Sequence, residues 1–278
     1  MAGLVGGGGC GVSGRWRAFG RRWLVFIVFL LLWQWITVSV ANPYFPPPTQ
    51  ILDAAREAWL SGPGSHLFVT DAVTGDMLPS LGRLLLGWFI AVVVGVSCGL
   101  ALGRLPKLTD YVSTMLFFAR SVPAVLLVPV FLVAFGIGPR MEIVTILWGT
   151  IWPILLNTID GARGVDAVKT ETARAFHISR RDWVFGVVLP TALPKVFAGL
   201  RLALSIAIIL MVVSELTGGA DSGIGFRLIN AQGGFQLAEM WAWIVLVSVL
   251  GYLANFLLTV VERRMLAWHP GFHAERLD

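Results

Sequence analysis

The chain has 278 residues, of which 56% are hydrophobic and 13% charged, against about 25% charged in an average soluble domain. That deficit excludes an ordinary soluble domain, and the high apolar content excludes a disordered chain. The net charge of +5 would raise nucleic acid as a partner in a soluble protein, but here the basic residues lie between apolar runs, where lipid headgroups and the positive-inside rule account for them.

Residues 1–22 form a Gly/Arg-rich tail. Gly6, Gly8 and Gly11 match G-x-G-x-x-G in form only, since no strand precedes them and no βαβ unit follows. Cys10 and Cys98 have no partners nearby, so neither a disulfide framework nor a metal site is indicated.

A helix crossing a hydrocarbon layer needs roughly 20 apolar residues, because every backbone amide must be bonded within the segment. Six stretches meet or approach that length: Trp23 to Ala41, Leu84 to Gly103, Ser113 to Phe135, Ile143 to Ile159, Phe197 to Thr217 and Trp241 to Val261. The fold class predicted is all-α and polytopic, with a six-helix membrane domain over 23–262, an inward loop at 160–196 and a second tail at 263–278. Most of the 21 lysines and arginines fall on the side shared by both tails and the long loop, which places both termini in the cytoplasm. The alternative for the first run is a signal peptide cleaved after Ser39-Val40-Ala41.

Between the first two runs, Pro46-Pro47-Pro48 stiffens the chain and Thr49 is placed to cap a short helix through Trp59. In the second run, Gly87, Gly95, Gly99 and Gly103 make a stripe for close helix contact; whether it packs within one chain or between two is left open. The third run carries Arg120, and the fifth carries Arg201 and Glu215; an intramembrane charge belongs against protein or a water-filled cavity, so these three are the candidates for a translocation path. For Arg120 snorkelling to the headgroups is the preferred reading, and Glu215 lies near the outer end of its run. Pro123, Pro129 and Pro153 are expected to bend their helices.

The loop from Asp160 to Val196 reads as two helices and a stop. Asp166 caps a helix over Ala167 to Phe176, and Ser179-x-x-Asp182 has capping-box form for a second helix that Pro190 ends. Pro194 is then pre-set for the first turn of the next span. Val168, Phe176, Trp183 and Phe185 require an apolar cover, either the chain's own bundle or another protein. After the fifth run, Gly218 to Gly225 reads as a tight re-entrant connection or as a loop that meets a delivered solute.

Glu171, Ala173, Val187, Leu189 and Pro190 fall at the offsets of the EAA loop, E-A-A-x3-G-x9-I-x-L-P, and the chain resembles the permease subunits of binding-protein-dependent ABC importers. Phe45-Pro46-Pro47-Pro48-Thr49, Ser80-Leu81-Gly82-Arg83 with Gly87, Arg120-Ser121-Val122-Pro123, Phe135-Gly136-Ile137-Gly138 and Leu189-Pro190-Thr191-Ala192-Leu193-Pro194 extend the resemblance toward the nitrate, sulfonate and taurine branch. Thr172 and His177 depart from the pattern, His177 standing where the family has glycine, so either the turn changes or a histidine occupies the left-handed region.

The resemblance implies a permease that moves a small anionic solute inward. Its partners would be two copies of a separate ATPase, a second permease copy and an extracytoplasmic solute-binding protein. Coupling to the ATPase would fall to Glu171, Thr172, Ala173, Phe176, His177 and Ser179, with Leu189 and Pro190 closing the motif. The chain itself has no G-x-x-x-x-G-K-[ST] loop around Lys107, Lys169 or Lys195, so no cofactor is expected on it and ATP belongs to the partner. The competing reading is an ion-gradient carrier, which would ordinarily show more intramembrane acids. A membrane enzyme is disfavoured because His66, His177, His269 and His273 are scattered and form no catalytic constellation.

Overall fold

The computed structural model describes residues 12–62 and 70–268. His66, His269 and His273, the glycines before Val12 and most of the second tail lie outside the described residues. The elements are α1 (Val12–Val40), α2 (Pro48–Leu60), a π-helical turn Val73–Met77 running into α3 (Leu78–Arg104), α4 (Pro106–Ser121), a 3-10 turn Ala124–Leu127, α5 (Val128–Phe135) and α6 (Pro139–Arg163). They continue with α7 (Ala167–Ala175), α8 (Arg180–Trp183), a second π-helical turn Val184–Val188, α9 (Leu189–Thr217), α10 (Ile224–Gly233) and α11 (Leu237–Met265). Among the described residues there is no strand. Five helices are long and apolar enough to cross a membrane, or six if a bent pair is one span.

That bent pair corrects the predicted single run Ser113 to Phe135. α4 and the segment Ala124–Phe135 meet at 78°. Val122 is extended, at φ −78° and ψ 114°, because the ring of Pro123 disfavours helical backbone in the residue before it. Pro129 sits in the first turn of α5, where its missing N–H costs nothing, and Pro153 lies inside an unbroken α6.

α3, α6 and α9 form the core, and small residues set their separation. A Cβ on Gly99 would fall 2.5 Å from the Cβ of Thr158, and one on Gly103 would fall 2.6 Å from the Cβ of Ala162. Gly95 meets Ile154 in the same way, so the glycine stripe of α3 packs against α6 within one chain. On the other flank of α6, Gly199 of α9 approaches the carbonyl of Pro153, and Gly161 approaches Ala192. Buried Leu84, Ile146, Leu204, Leu210 and Trp243 fill one half of this interior, and Ala91, Ile154, Val196, Phe197 and Leu200 the other. α1 is apolar but almost entirely exposed from Trp23 to Val40, as expected of a helix whose neighbour is lipid or a further protein.

Two further expectations are corrected. Thr49 does not cap α2: the helix starts at Pro48, and the N–H of Thr49 is accepted 3.2 Å away by Gln34 Oε1 of α1, whose Nε2 donates to Thr49 Oγ1 at 3.1 Å. Nor does Pro190 end a helix. α8 passes through the π-helical turn into α9 and continues to Thr217. A proline ring crowds the carbonyl four residues back, here Gly186, and the wider winding over Val184–Val188 makes room at that point. Pro194 accordingly lies inside α9 and not at its start.

Candidate functional site

The helix pair α7 and α8 is built by local hydrogen bonds. Asp166 accepts the N–H of Val168 at 3.1 Å, and Ser179 accepts the N–H of Asp182 at 3.2 Å while donating to its carboxylate at 2.7 Å. Both caps stand where the sequence places them. The turn between the helices closes with Ile178 N–H bonded to Ala173 O at 3.0 Å and His177 N–H to Arg174 O at 3.1 Å, the six-residue pattern of a left-handed helix end. His177 supplies the left-handed residue, at φ +50°. Of the two expectations for this turn the left-handed residue holds, and a histidine bears the strain that glycine would avoid.

One side of the pair is fixed to the bundle. Ala173 is buried, Val188 packs with Ala162 and Val165, and the guanidinium of Arg104 at the end of α3 lies 5.3 Å over the ring of Trp183. The other side faces outward. Val168 is 66% exposed, Phe176 77% and Phe185 63%. Glu171, Thr172, His177 and Ser179 are exposed on the same pair, whereas Leu189 and Pro190 are half-buried at the start of α9. A cleft of about 400 Å³ runs between Val168, Thr172 and Ala173 on α7 and Val187 and Pro190 beyond it, with Trp268 at its rim.

The three intramembrane candidates are not brought together. Arg120 is exposed in the last turn of α4, 4.8 Å from the ring centroid of Phe117, so the break at Pro123 puts it at a helix end. Arg201 is ion-paired with Glu262 of α11. Glu215 is fully buried in the last turn of α9.

Glu215 belongs to an ionic cluster that sequence reasoning missed. Arg83 Nη2 lies 2.9 Å from Glu215 Oε1, and Arg83 Nε lies 2.9 Å from Glu142 Oε2. Ser80 donates to Glu215 at 2.6 Å, and the backbone N–H of Gly225 does so at 2.8 Å. Ser80 also accepts the N–H of Ile224 at 3.0 Å, and Asp76 accepts from Gly223 N–H at 2.9 Å and from Arg227 Nε at 2.7 Å. The cluster joins α3, α6, α9 and α10 at one end of the bundle. A Cβ on Gly223, whose φ is +131°, would fall 2.5 Å from the Glu215 carboxyl carbon, so this residue needs to be glycine twice over. The cluster thus ties Gly223, Ile224 and Gly225, at the end of this connection, to Asp76, Ser80 and Glu215. Its signal in the sequence was Ser80 three residues before Arg83, which shares a helix face, but nothing local marks Glu142 because its partner is remote in the chain.

Among the described residues no group of three or more His, Cys, Asp or Glu side chains is arranged to hold a metal ion.

Comparison with known proteins agrees with this geometry. Residues 91–267 match the family described as binding-protein-dependent transport system inner membrane component. The putative aliphatic sulfonates transport permease protein SsuC of Bacillus subtilis is 31% identical, with 88% of this chain and 86% of that protein aligned. The taurine transport system permease protein TauC of Escherichia coli is 28% identical over 87% of each chain, and the nitrate import permease protein NrtB of Synechocystis is 28% identical over the same shares. Among solved structures, a chain of the MetNI methionine ABC transporter in an inward-facing conformation superposes with a TM-score of 0.59 at 25% identity, covering 69% of this chain and 95% of that one.

Proposed function

Because the chain belongs to the family of binding-protein-dependent transport system inner membrane components, a transport permease and not an enzyme, we propose that it passes a small oxyanion or sulfonate inward as one of two identical permease copies. Two ATPase subunits drive the pair and a solute-binding protein delivers to it. The anionic class rests on relatives named for aliphatic sulfonates, taurine and nitrate. Both termini and the α7–α8 pair are assigned to the cytoplasm by the distribution of Lys and Arg. The ionic cluster then lies at the extracytoplasmic end. Membership of an ATP-driven family removes the reason for the ion-gradient alternative.

The observation that carries the coupling role is the exposure of Phe176 and Val168 on a helix pair whose opposite side is fastened to the bundle. An apolar patch held rigidly in water is what a partner groove requires. Glu171, Thr172, Phe176, His177 and Ser179 form the ATPase-facing element, and Ala173 anchors it. Arg104 over Trp183 gives that element a contact with α3, and π-helical winding joins it to α9, so displacement of the pair reaches two core helices. Copurification with the co-expressed ATPase, followed by uptake measured with and without ATP, tests the assignment. A permease that imports without ATP, or binds no ATPase, would sink it.

A further inference from the structure

α6 gives two of its faces to the core, one to the glycines of α3 and one to Gly199, Ala192 and Leu210 of α9. A third face carries Trp148 and Trp152, one turn apart, with ring centroids 5.2 Å apart and planes at 81°. The indole Nε1 of each is buried and has no hydrogen-bond partner among the described residues. Tryptophan in membrane proteins collects at the two interfaces, where its N–H reaches water or headgroups. These two lie near the middle of a 25-residue apolar helix, where an unpaired donor is costly and water is scarce. Gly149 sits between them in the chain. A Cβ there would press on Leu210 and come 3.1 Å from the Cβ of Ala124, so the 3-10 turn after the break at Pro123 packs against this part of α6.

Two neutral donors in a low-dielectric stretch suit one class of passenger. An anion crossing there loses its hydration shell, and N–H groups replace part of that shell. A fixed cation would do so more strongly and would hold the anion back, whereas conduction needs binding strong enough for entry and weak enough for release. Two cations of the bundle are engaged by carboxylates: Arg83 is occupied by Glu142 and Glu215, and Arg201 pairs with Glu262. Trp59 and Trp88 also have unpaired indoles, but both pack against the core cluster that contains Trp243.

We propose that Trp148 and Trp152 form a two-donor step for the oxyanion or sulfonate as it passes α6. The proposal rests on the anionic-solute reading above. It assigns solute contact to a pair of indoles.

The test uses the complete complex, permease with ATPase and binding protein, in proteoliposomes offered radiolabelled ethanesulfonate, taurine or nitrate. Trp148→Phe and Trp152→Phe keep a ring and remove the donor. Each is expected to lower uptake per ATP hydrolysed about fivefold, the order of one lost hydrogen bond, with the amount of copurifying ATPase unchanged. Trp152→Tyr, which restores a donor, should recover part of the loss, and Trp88→Phe should behave as wild type. If the wild-type complex imports none of the three solutes, the anionic reading itself fails. If it imports one, and the two Phe variants match wild type, or Trp88→Phe loses as much, or Trp152→Tyr recovers nothing, only the donor-pair proposal is overturned.

Discussion

Arg83 and Glu215 are separated by 132 positions in the chain and by 2.9 Å in the fold, with both side chains buried. Glu142 closes on the same guanidinium from α6. Such a cluster is weak evidence for net stability, because desolvation offsets most of the attraction, but removing a single partner strands the others. Arg83→Met should therefore cost about 3–5 kcal/mol and lower the melting temperature of the purified permease sharply. The triple change Arg83→Met, Glu142→Leu, Glu215→Leu should recover much of that loss. A single variant as stable as wild type would show that the cluster is solvated and does not fasten α3 to α9.

Gly99 and Gly82 both lie in α3 and should respond in opposite directions to alanine. A Cβ at Gly99 would meet Thr158 at 2.5 Å, so Gly99→Ala forces α3 away from α6 and should destabilise by about 1–3 kcal/mol. Among the described residues nothing lies within 4 Å of the Cβ position at Gly82, and there the higher helix propensity of alanine should stabilise by a few tenths to about 1 kcal/mol. Thermal denaturation of the two variants side by side checks the sign of each. Equal responses would mean that α3 and α6 are not in the close contact described.

His177 carries a φ of +50° with its imidazole in the open. His177→Gly removes the contact between Cβ and the following carbonyl and should stabilise the isolated permease by about 0.5–1 kcal/mol, since some of the gain is lost to the freer unfolded chain. His177→Val, β-branched, should destabilise by more than the glycine gains. Chemical denaturation read by fluorescence distinguishes the two, and a neutral result for both would place the turn outside the left-handed region.

What was legible in the sequence divides by range of interaction. Five of the six apolar runs and both caps of the helix pair depend on neighbours within a few residues, and these features stand where length and side-chain type placed them. The bend at Pro123 was half legible: proline signalled a bend, but the unbroken apolar stretch concealed that α4 and α5 are separate helices. Thr49 was misread because Gln34, fifteen positions earlier, supplies the hydrogen bonds that a cap would. The stop expected at Pro190 failed because a π-helical turn absorbs what an α-helix cannot. The ionic cluster was hidden for the same reason of distance, since Asp76, Arg83, Glu142 and Arg227 come together only where four helix ends meet.

Phe176 offers the most direct separation of folding from assembly. Its ring is 77% exposed, so Phe176→Asp removes little buried surface from the permease and should shift its own melting temperature by no more than the effect of a surface substitution, within about 0.5 kcal/mol. Its apolar face is lost to any partner, and a carboxylate in an apolar groove is costly to desolvate. Copurified ATPase should therefore fall by at least about tenfold, and ATP-driven uptake with it. Glu171→Lys is expected to act in the same direction by reversing charge on the same exposed helix. Should Phe176→Asp instead lower the melting temperature of the permease alone while ATPase binding persists, the ring packs on its own chain, and α7 is not the element through which nucleotide hydrolysis reaches α3 and α9.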